Sequence, residues 1–300
     1  MGSSVLPTEE EIERIVLPPD AFSHRITGDG RLYLGAGYAL LMQVAHPTVG
    51  AGVRDHSTFR TDPWGRLLRT VDYLYLITLS GREAAAVGRR VRELHKQIKG
   101  TNPDGTHYHS LEPEAYAWVH ATLIEATVAG YLRFVGPLSR TEIHRFYAEW
   151  MPLGRLLGVR EGDLPENWDG FCRYFEEMSS ERLERNETVD AVIATLDARE
   201  PPPIPVISEL WPLLRLAPAR AVRVATTGLL PEHLRERFDL KWGRREELEL
   251  RAMGRASRAL TPMLPKPLTE VGPAHLKWRE EEIRQGPLGS GASEPAAALG

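Results

Sequence analysis

The stretch AYAWVHATLIEATVAGYLRF, residues 115–134, constrains the fold more than any other part of the chain. Coiled as a helix, it is apolar nearly all round, so it has no face to give to water and must be packed on every side by other elements. Ala117, Ala121, Ala126, Ala129 and Gly130 would let another helix or a flat ligand come close. The rest of the chain offers helices as neighbours. Thr8 with Glu11 and Ser139 with Glu142 have the spacing of capping boxes, and Asp62-Pro63 and Glu112-Pro113 put proline at a first helical position. Helices are predicted at about 8–17, 32–45, 47–55, 63–79, 82–98, 113–134, 140–157, 168–184, 187–197, 218–228, 231–238, 243–260 and 273–285. No sustained period-two alternation of β-branched residues occurs, and Asp29-Gly30 and Asp104-Gly105 stand between helical patterns rather than strands. The expectation is an all-α fold, a single large helical domain around a core bundle.

Residues 1–24 read as an N-terminal helix and lead-in, 25–285 as the helical domain, and the Gly/Ser/Ala/Pro-rich 286–300 as a disordered tail. The proline run at 201–205 is the strongest candidate for a sub-boundary. A formal net charge of −4 gives no reason to expect nucleic acid as a partner. The longest apolar runs are broken by Gly, His, Arg or Pro well short of the roughly 20 residues of a membrane span, so none is expected. The N-terminus has no basic stretch leading into an apolar one, and the single Cys172, read as a small core residue among aromatics, excludes an internal disulfide; a cytoplasmic protein is expected. Oligomeric state is left open.

One helix is unusual in what it carries. In WGRLLRTVDYLYLITL, residues 64–79, Arg66, Arg69, Thr70 and Tyr73 fall at i, i+3, i+4 and i+7 and share a face in otherwise apolar surroundings. Buried arginine needs an anion, which would be either a carboxylate of the chain (Asp55, Asp62 or Glu125) or a bound ligand. In the next helix His95 lies in the apolar stripe of Val87, Val91, Leu94 and Ile98, opposite Arg89, Arg90, Arg92, Glu93, Lys96 and Gln97. Such a histidine is either a hydrogen-bonded core residue or a ligand to a metal. His120 within the central helix raises the same alternatives. His46 and His56 read as helix-end residues, and His107 and His109 as members of a Gly/Asn/Pro loop whose spacing is only weak evidence for a metal. The chain has no His-Glu-x-x-His, Cys-x-x-Cys or Glu-x-x-His pattern, no glycine-rich dinucleotide or phosphate loop and no Gly-x-Ser-x-Gly elbow. These absences argue against hydrolase, kinase and nicotinamide-dehydrogenase chemistry.

Residues 41–70, LMQVAHPTVGAGVRDHSTFRTDPWGRLLRT, followed by RELHKQIKG at 92–100, WVHATL at 118–123 and FVGPLS at 134–139, resemble the catalytic domain shared by rubber oxygenase (latex-clearing protein) and the endoplasmic-reticulum-bound oxygenase of mycophenolic acid biosynthesis. The resemblance runs from about residue 25 to 240. It implies an all-helical haem-b oxygenase acting with dioxygen on a small apolar or isoprenoid-like substrate. His95 resembles the family's haem-iron ligand, and Arg66, Arg69 and Thr70 its arginine motif beside the distal haem face; rubber oxygenase has lysine where this chain has Arg69. Tyr73, on the arginine face, and His120, in the central helix, would then lie near the haem or substrate, and Asp55 is the nearest acidic candidate for the family's catalytic base. The alternatives are a haem or apolar-ligand binder without turnover, and a haem peroxidase or dehydrogenase-like enzyme.

Overall fold

The computed structural model describes residues 6–196, 216–264 and 269. Among these the fold is all-α, with one small hairpin. α1 (Glu9–Ile15) and α8 (Arg140–Trp150) both begin on the expected capping boxes, in which Thr8 and Ser139 exchange hydrogen bonds with Glu11 and Glu142. α2 (Phe22–Thr27) has no cap of its own. Glu149 of α8 supplies one, accepting from Phe22 N at 3.3 Å and Ser23 N at 2.7 Å. A 3-10 turn at Gly30–Gly35 leads into α3 (Ala36–Val44), and α4 (Pro47–His56) follows directly. α5 (Pro63–Leu79) and α6 (Ala84–His95) lie side by side, joined by the short turn Gly81–Glu83.

α7 (Pro113–Gly130) is the central helix that its sequence requires, with Trp118, Ala121 and Ile124 wholly buried. Trp118 Nε1 donates to Met42 O at 2.8 Å and ties α7 to α3. Burying a side chain the size of Ile124 contributes about 1.5–3 kcal/mol. The helix expected to continue to 134 changes winding instead: Tyr131–Val135 is a π-turn, closed by Gly136 N donating to Tyr131 O at 3.0 Å. Likewise 140–157 is two helices, because Pro152 has no N–H with which to continue α8; α9 (Leu153–Leu157) starts beyond it. α9 packs against α6 at backbone distance, and a Cβ on Gly88 would overlap the carbonyl of Leu156.

α10 (Trp168–Glu181) places Phe171, Phe175 and Met178 in the core. Cys172 is exposed, a correction to its sequence reading, because one residue on from Phe171 turns it about 100° off the buried stripe. α11 (Glu187–Thr195) is capped by Asn186, whose Oδ1 accepts from Thr188 N and Val189 N at 3.0 Å while its Nδ2 donates to Val44 O at 2.9 Å. α12 (Leu216–Leu229), α13 (Glu232–Arg237) and α14 (Arg244–Leu260) complete the described chain. One apolar cluster runs from Ile12 to Phe238, and a second of Phe134, Val224, Ala225 and Leu250 seats α12 and α14 on the π-turn.

The segment read as a loop around His107 and His109 is an antiparallel hairpin pairing Lys99–Thr101 with His107–His109. Its turn is built by Asp104, whose Oδ1 accepts from Thr106 N at 2.9 Å, and by Gly105 at φ 88°. No helix among the described residues is long and apolar enough to cross a membrane. The expected helix at 273–285, the proline run at 201–205 and the tail at 286–300 lie outside the described residues.

Candidate cofactor and substrate cavity

Between α4, α5, α6, α7 and the α8–α9 corner lies a largely apolar cavity of about 240 Å³. At about 10–15 Å³ for each enclosed water, that is room for a polyatomic guest. Helical spacing explains what lines it. α5 contributes Arg66, Arg69, Thr70 and Tyr73; α7 contributes Tyr116, Val119, His120 and Leu123, the same i, i+3, i+4, i+7 pattern; α6 contributes Val91 and His95. Six of the residues singled out from the sequence therefore meet around one space although they come from three helices: Arg66, Arg69, Thr70, Tyr73, His95 and His120.

His95 sits at the last turn of α6 with its ring edge-on to Tyr116, the centroids 5.7 Å apart. Its Nδ1 is 2.7 Å from Val91 O. A carbonyl can only accept, so the ring proton is on Nδ1 and the Nε2 lone pair is left free; Nε2 has no hydrogen bond among the described residues. Burial depresses the imidazole's pKa below its usual value, with the charges of Arg66 and Arg92 acting in the same direction. The ring is thus held neutral and oriented, as a metal-binding histidine is when its second nitrogen donates to a backbone carbonyl.

Arg66 faces this imidazole with no carboxylate paired to it among the described residues. Burial, then the neighbouring Arg69, lowers its pKa to about 10, and its guanidinium makes no hydrogen bond or ion pair among the described residues. Arg69 differs, since its Nη1 lies 3.3 Å from Asp62 Oδ2 and its Nη2 donates to Thr58 Oγ1 at 3.4 Å. Of the carboxylates considered from sequence, Asp62 alone pairs with this arginine face. Thr70 Oγ1 donates to Arg66 O at 3.0 Å, which leaves the hydroxyl's lone pairs as acceptors at the cavity wall. The Tyr73 hydroxyl is buried with no hydrogen-bond partner.

His120 closes another part of the wall. Its ring stacks on Trp150 at 5.7 Å and 12°, and Nε2 lies 3.3 Å from Trp150 O. Nδ1 is buried and unpartnered, and burial pushes the pKa down to about 4, so the ring is neutral near pH 7 with an acceptor unused. Gln43, Tyr116 and Trp150 also line the space and were not picked out from the sequence. Gln43 carried a signal, as the lone polar side chain in ALLMQV; its Nε2 donates to Thr122 Oγ1 at 3.1 Å.

Asp55 is not brought to the cavity. It sits beside the hairpin, where its carboxylate accepts from Arg54 Nε at 2.7 Å and from the Tyr108 hydroxyl at 2.6 Å, and the bond to Arg54 holds its pKa below the usual value. Glu125 is on the opposite face of α7 from His120. Burial raises its carboxyl to about 7 against Tyr38, and its Oε2 has no partner. His46 is buried outside the cavity, 3.4 Å from Glu114 Oε1 and kept toward neutrality by burial. His107 shares a bond with Thr101 Oγ1, His109 Nδ1 accepts from Leu111 N, and no group of three metal-ligating side chains occurs among the described residues.

An apolar cavity between helices with a few polar side chains converging on it has the form of a small-molecule binding site. Residues 24–259 match the model of the family described as ER-bound oxygenase mpaB/B'/rubber oxygenase, catalytic domain, and the chain belongs to that family. Comparison with curated proteins and with solved structures gives no match.

Proposed function

We propose that this chain is a haem-b-dependent oxygenase that acts with dioxygen on a small apolar or isoprenoid-like substrate, its catalytic body one helical domain working in the cytoplasm. The observation that carries the reading is the pairing of a neutral, oriented His95 with an Arg66 that no carboxylate among the described residues compensates, across one apolar space. The residues present fit the group. His95 Nε2 is a free nitrogen ligand for iron, Arg66 asks for an anion such as a porphyrin carboxylate, and the Tyr73 hydroxyl and His120 Nδ1 are buried polar atoms still without partners.

When bound, the haem iron would supply the oxidising chemistry and the activation of dioxygen. The chain's own work is then electrostatic and positional. The Val91 carbonyl keeps the proton on His95 Nδ1 and so keeps Nε2 available. Arg66 and Arg69 supply positive charge, with Asp62 restraining Arg69 so that Arg66 is the stronger anion site. Val119, Leu123 and Leu153 exclude water and favour an apolar substrate. His120 offers an acceptor to a substrate hydroxyl. The cytoplasmic placement follows the single cysteine, which suits a reducing compartment.

The test is optical and isotopic. Protein produced with ample haem should show a Soret band that His95→Ala abolishes and Arg69→Ala retains, and labelled dioxygen should enter products of an apolar alkene panel. A Soret band unchanged in His95→Ala would sink the ligand assignment. Haem binding without label in any product would leave a binder and refute the oxygenase.

A further inference from the structure

A second cleft, sharing no residue with the cavity, opens where α14 crosses the π-turn. It is lined by Leu132, Arg133, Arg251, Gly254, Arg255 and Arg258. On α14, Arg251, Arg255 and Arg258 follow at i, i+4 and i+7, so their side chains share one face, and Arg133 joins them from the π-turn. In a chain of net charge −4, four guanidinium groups on one small concavity are a strong local departure.

The joint beneath the cleft is firm. Winding by five residues per bond leaves carbonyls of the π-turn unused by their own helix, and α14 takes them: Arg258 Nη1 donates to Arg133 O at 2.7 Å and Ser257 Oγ to Phe134 O at 2.9 Å. Gly254 lets the backbones approach, since a Cβ there would sit 2.5 Å from Arg133 O. Two of the four arginines are thereby pre-oriented, Arg258 by that carbonyl and Arg251 by Glu247, 2.7 Å away. Arg133 and Arg255 make no side-chain hydrogen bond or ion pair among the described residues. Among the described residues Glu247 is the carboxylate beside them, paired with Arg251 and close enough to act on Arg133, so four cations face one negative charge and most of their mutual repulsion remains.

We propose that this cleft binds a phosphate-type oxyanion. A carboxylate has only two oxygens to share among guanidinium forks, whereas the larger set of peripheral oxygens on a phosphate or diphosphate, with their higher charge, accepts from several forks at once. Leu132, 41% exposed at the rim, gives an apolar contact to whatever carries the phosphate. Free phosphate esters and the headgroup of an acidic phospholipid share this chemistry, so the experiment separates them.

The full chain and its Arg133→Ala and Arg255→Ala variants, both outside the core and checked for unchanged circular dichroism, are titrated calorimetrically with inorganic pyrophosphate. In parallel they are floated with phosphatidylcholine vesicles with and without phosphatidic acid. Saturable pyrophosphate binding, weakened about ten-fold in each variant as expected for loss of a charged hydrogen-bonding group, supports the site with a soluble ligand. Flotation that requires phosphatidic acid and is lost in both variants supports it with a lipid headgroup. Binding to neither probe, or binding that both variants keep, overturns it. The Soret assay of the cavity is unaffected by either result, so the two readings stand or fall separately.

Discussion

Replacing Arg66 by methionine should make the ligand-free protein more stable while weakening its grip on an anionic guest. The pKa of Arg66 falls from 12.5 to about 10, with burial as the largest cause and Arg69 the second. Each pH unit of that difference is worth about 1.4 kcal/mol, so the charged form is disfavoured in the folded chain by about 3 kcal/mol. The guanidinium borders an open cavity, and solvent screening reduces this to about 1–2 kcal/mol. For a base whose folded pKa is depressed, the penalty applies in full below the folded value and ends only above the unfolded one, so it is undiminished at pH 7. Methionine matches the stem's apolar packing and removes the charge. Denaturant unfolding of haem-free protein should therefore show a gain of about 1–2 kcal/mol, or about 2–6 °C in melting midpoint for a chain of this size. Arg69→Met, which breaks the contact to Asp62, should be neutral or lose up to about 1 kcal/mol. Haem titration of the same variants should show Arg66→Met the weaker binder. If Arg66→Met lowered the stability of the haem-free chain, Arg66 would have a counter-charge, and the argument from an unmet cation would fail.

Gly88→Val places a side chain into the Leu156 carbonyl and must push α6 off α9; a loss of about 1–3 kcal/mol in urea unfolding is expected, with a weaker Soret band because His95 rides on α6. His120, with its folded pKa lowered from 6.5 to about 4 by burial, contributes stability that is present above pH 6.5 and is lost by about 3 kcal/mol as the pH falls to about 4. His120→Gln should flatten the stability profile across that window, and an unchanged acid limb would refute the assignment. Glu125 acts with the opposite sign: its carboxyl is raised from 4.5 to about 7 by burial, so its contribution is complete below pH 4.5 and is lost as the pH rises through 7. Glu125→Gln should stabilise the chain at pH 8 relative to wild type by more than at pH 4.5, measured by thermal unfolding at both.

What could be read in advance followed periodicity. The faces of 66/69/70/73 and of 91/95 were visible because a helix repeats every 3.6 residues, and a cavity between helices takes one stripe from each; the 119/120/123 stripe of the central helix was not, because that helix is apolar nearly all round and only His120 stood out. The capping boxes at Thr8 and Ser139 were legible because both partners lie within three residues. What escaped depended on distant partners. α2 is capped by Glu149 from more than a hundred residues away, and nothing local announces it. Asp55 looked available as a base because its occupation by Tyr108 depends on a hairpin that three-residue strands are too short to signal. The aromatic neighbours of Cys172 suggested burial, but sequence adjacency on a helix places residues on different faces. The histidines at 107 and 109 were separated from the site by the same hairpin.

The walls of the cavity are drawn from positions scattered between Gln43 and Val159, and none comes from the described residues beyond. A guest seated there would act as a keystone, touching pieces of chain that meet only once more than a hundred residues have assembled. Occupancy at about a thousand times the dissociation constant would add about 4 kcal/mol to the cohesion of those pieces. A fragment ending before Trp150 would lose part of the vault, including the ring on which His120 rests, and should capture no guest at all.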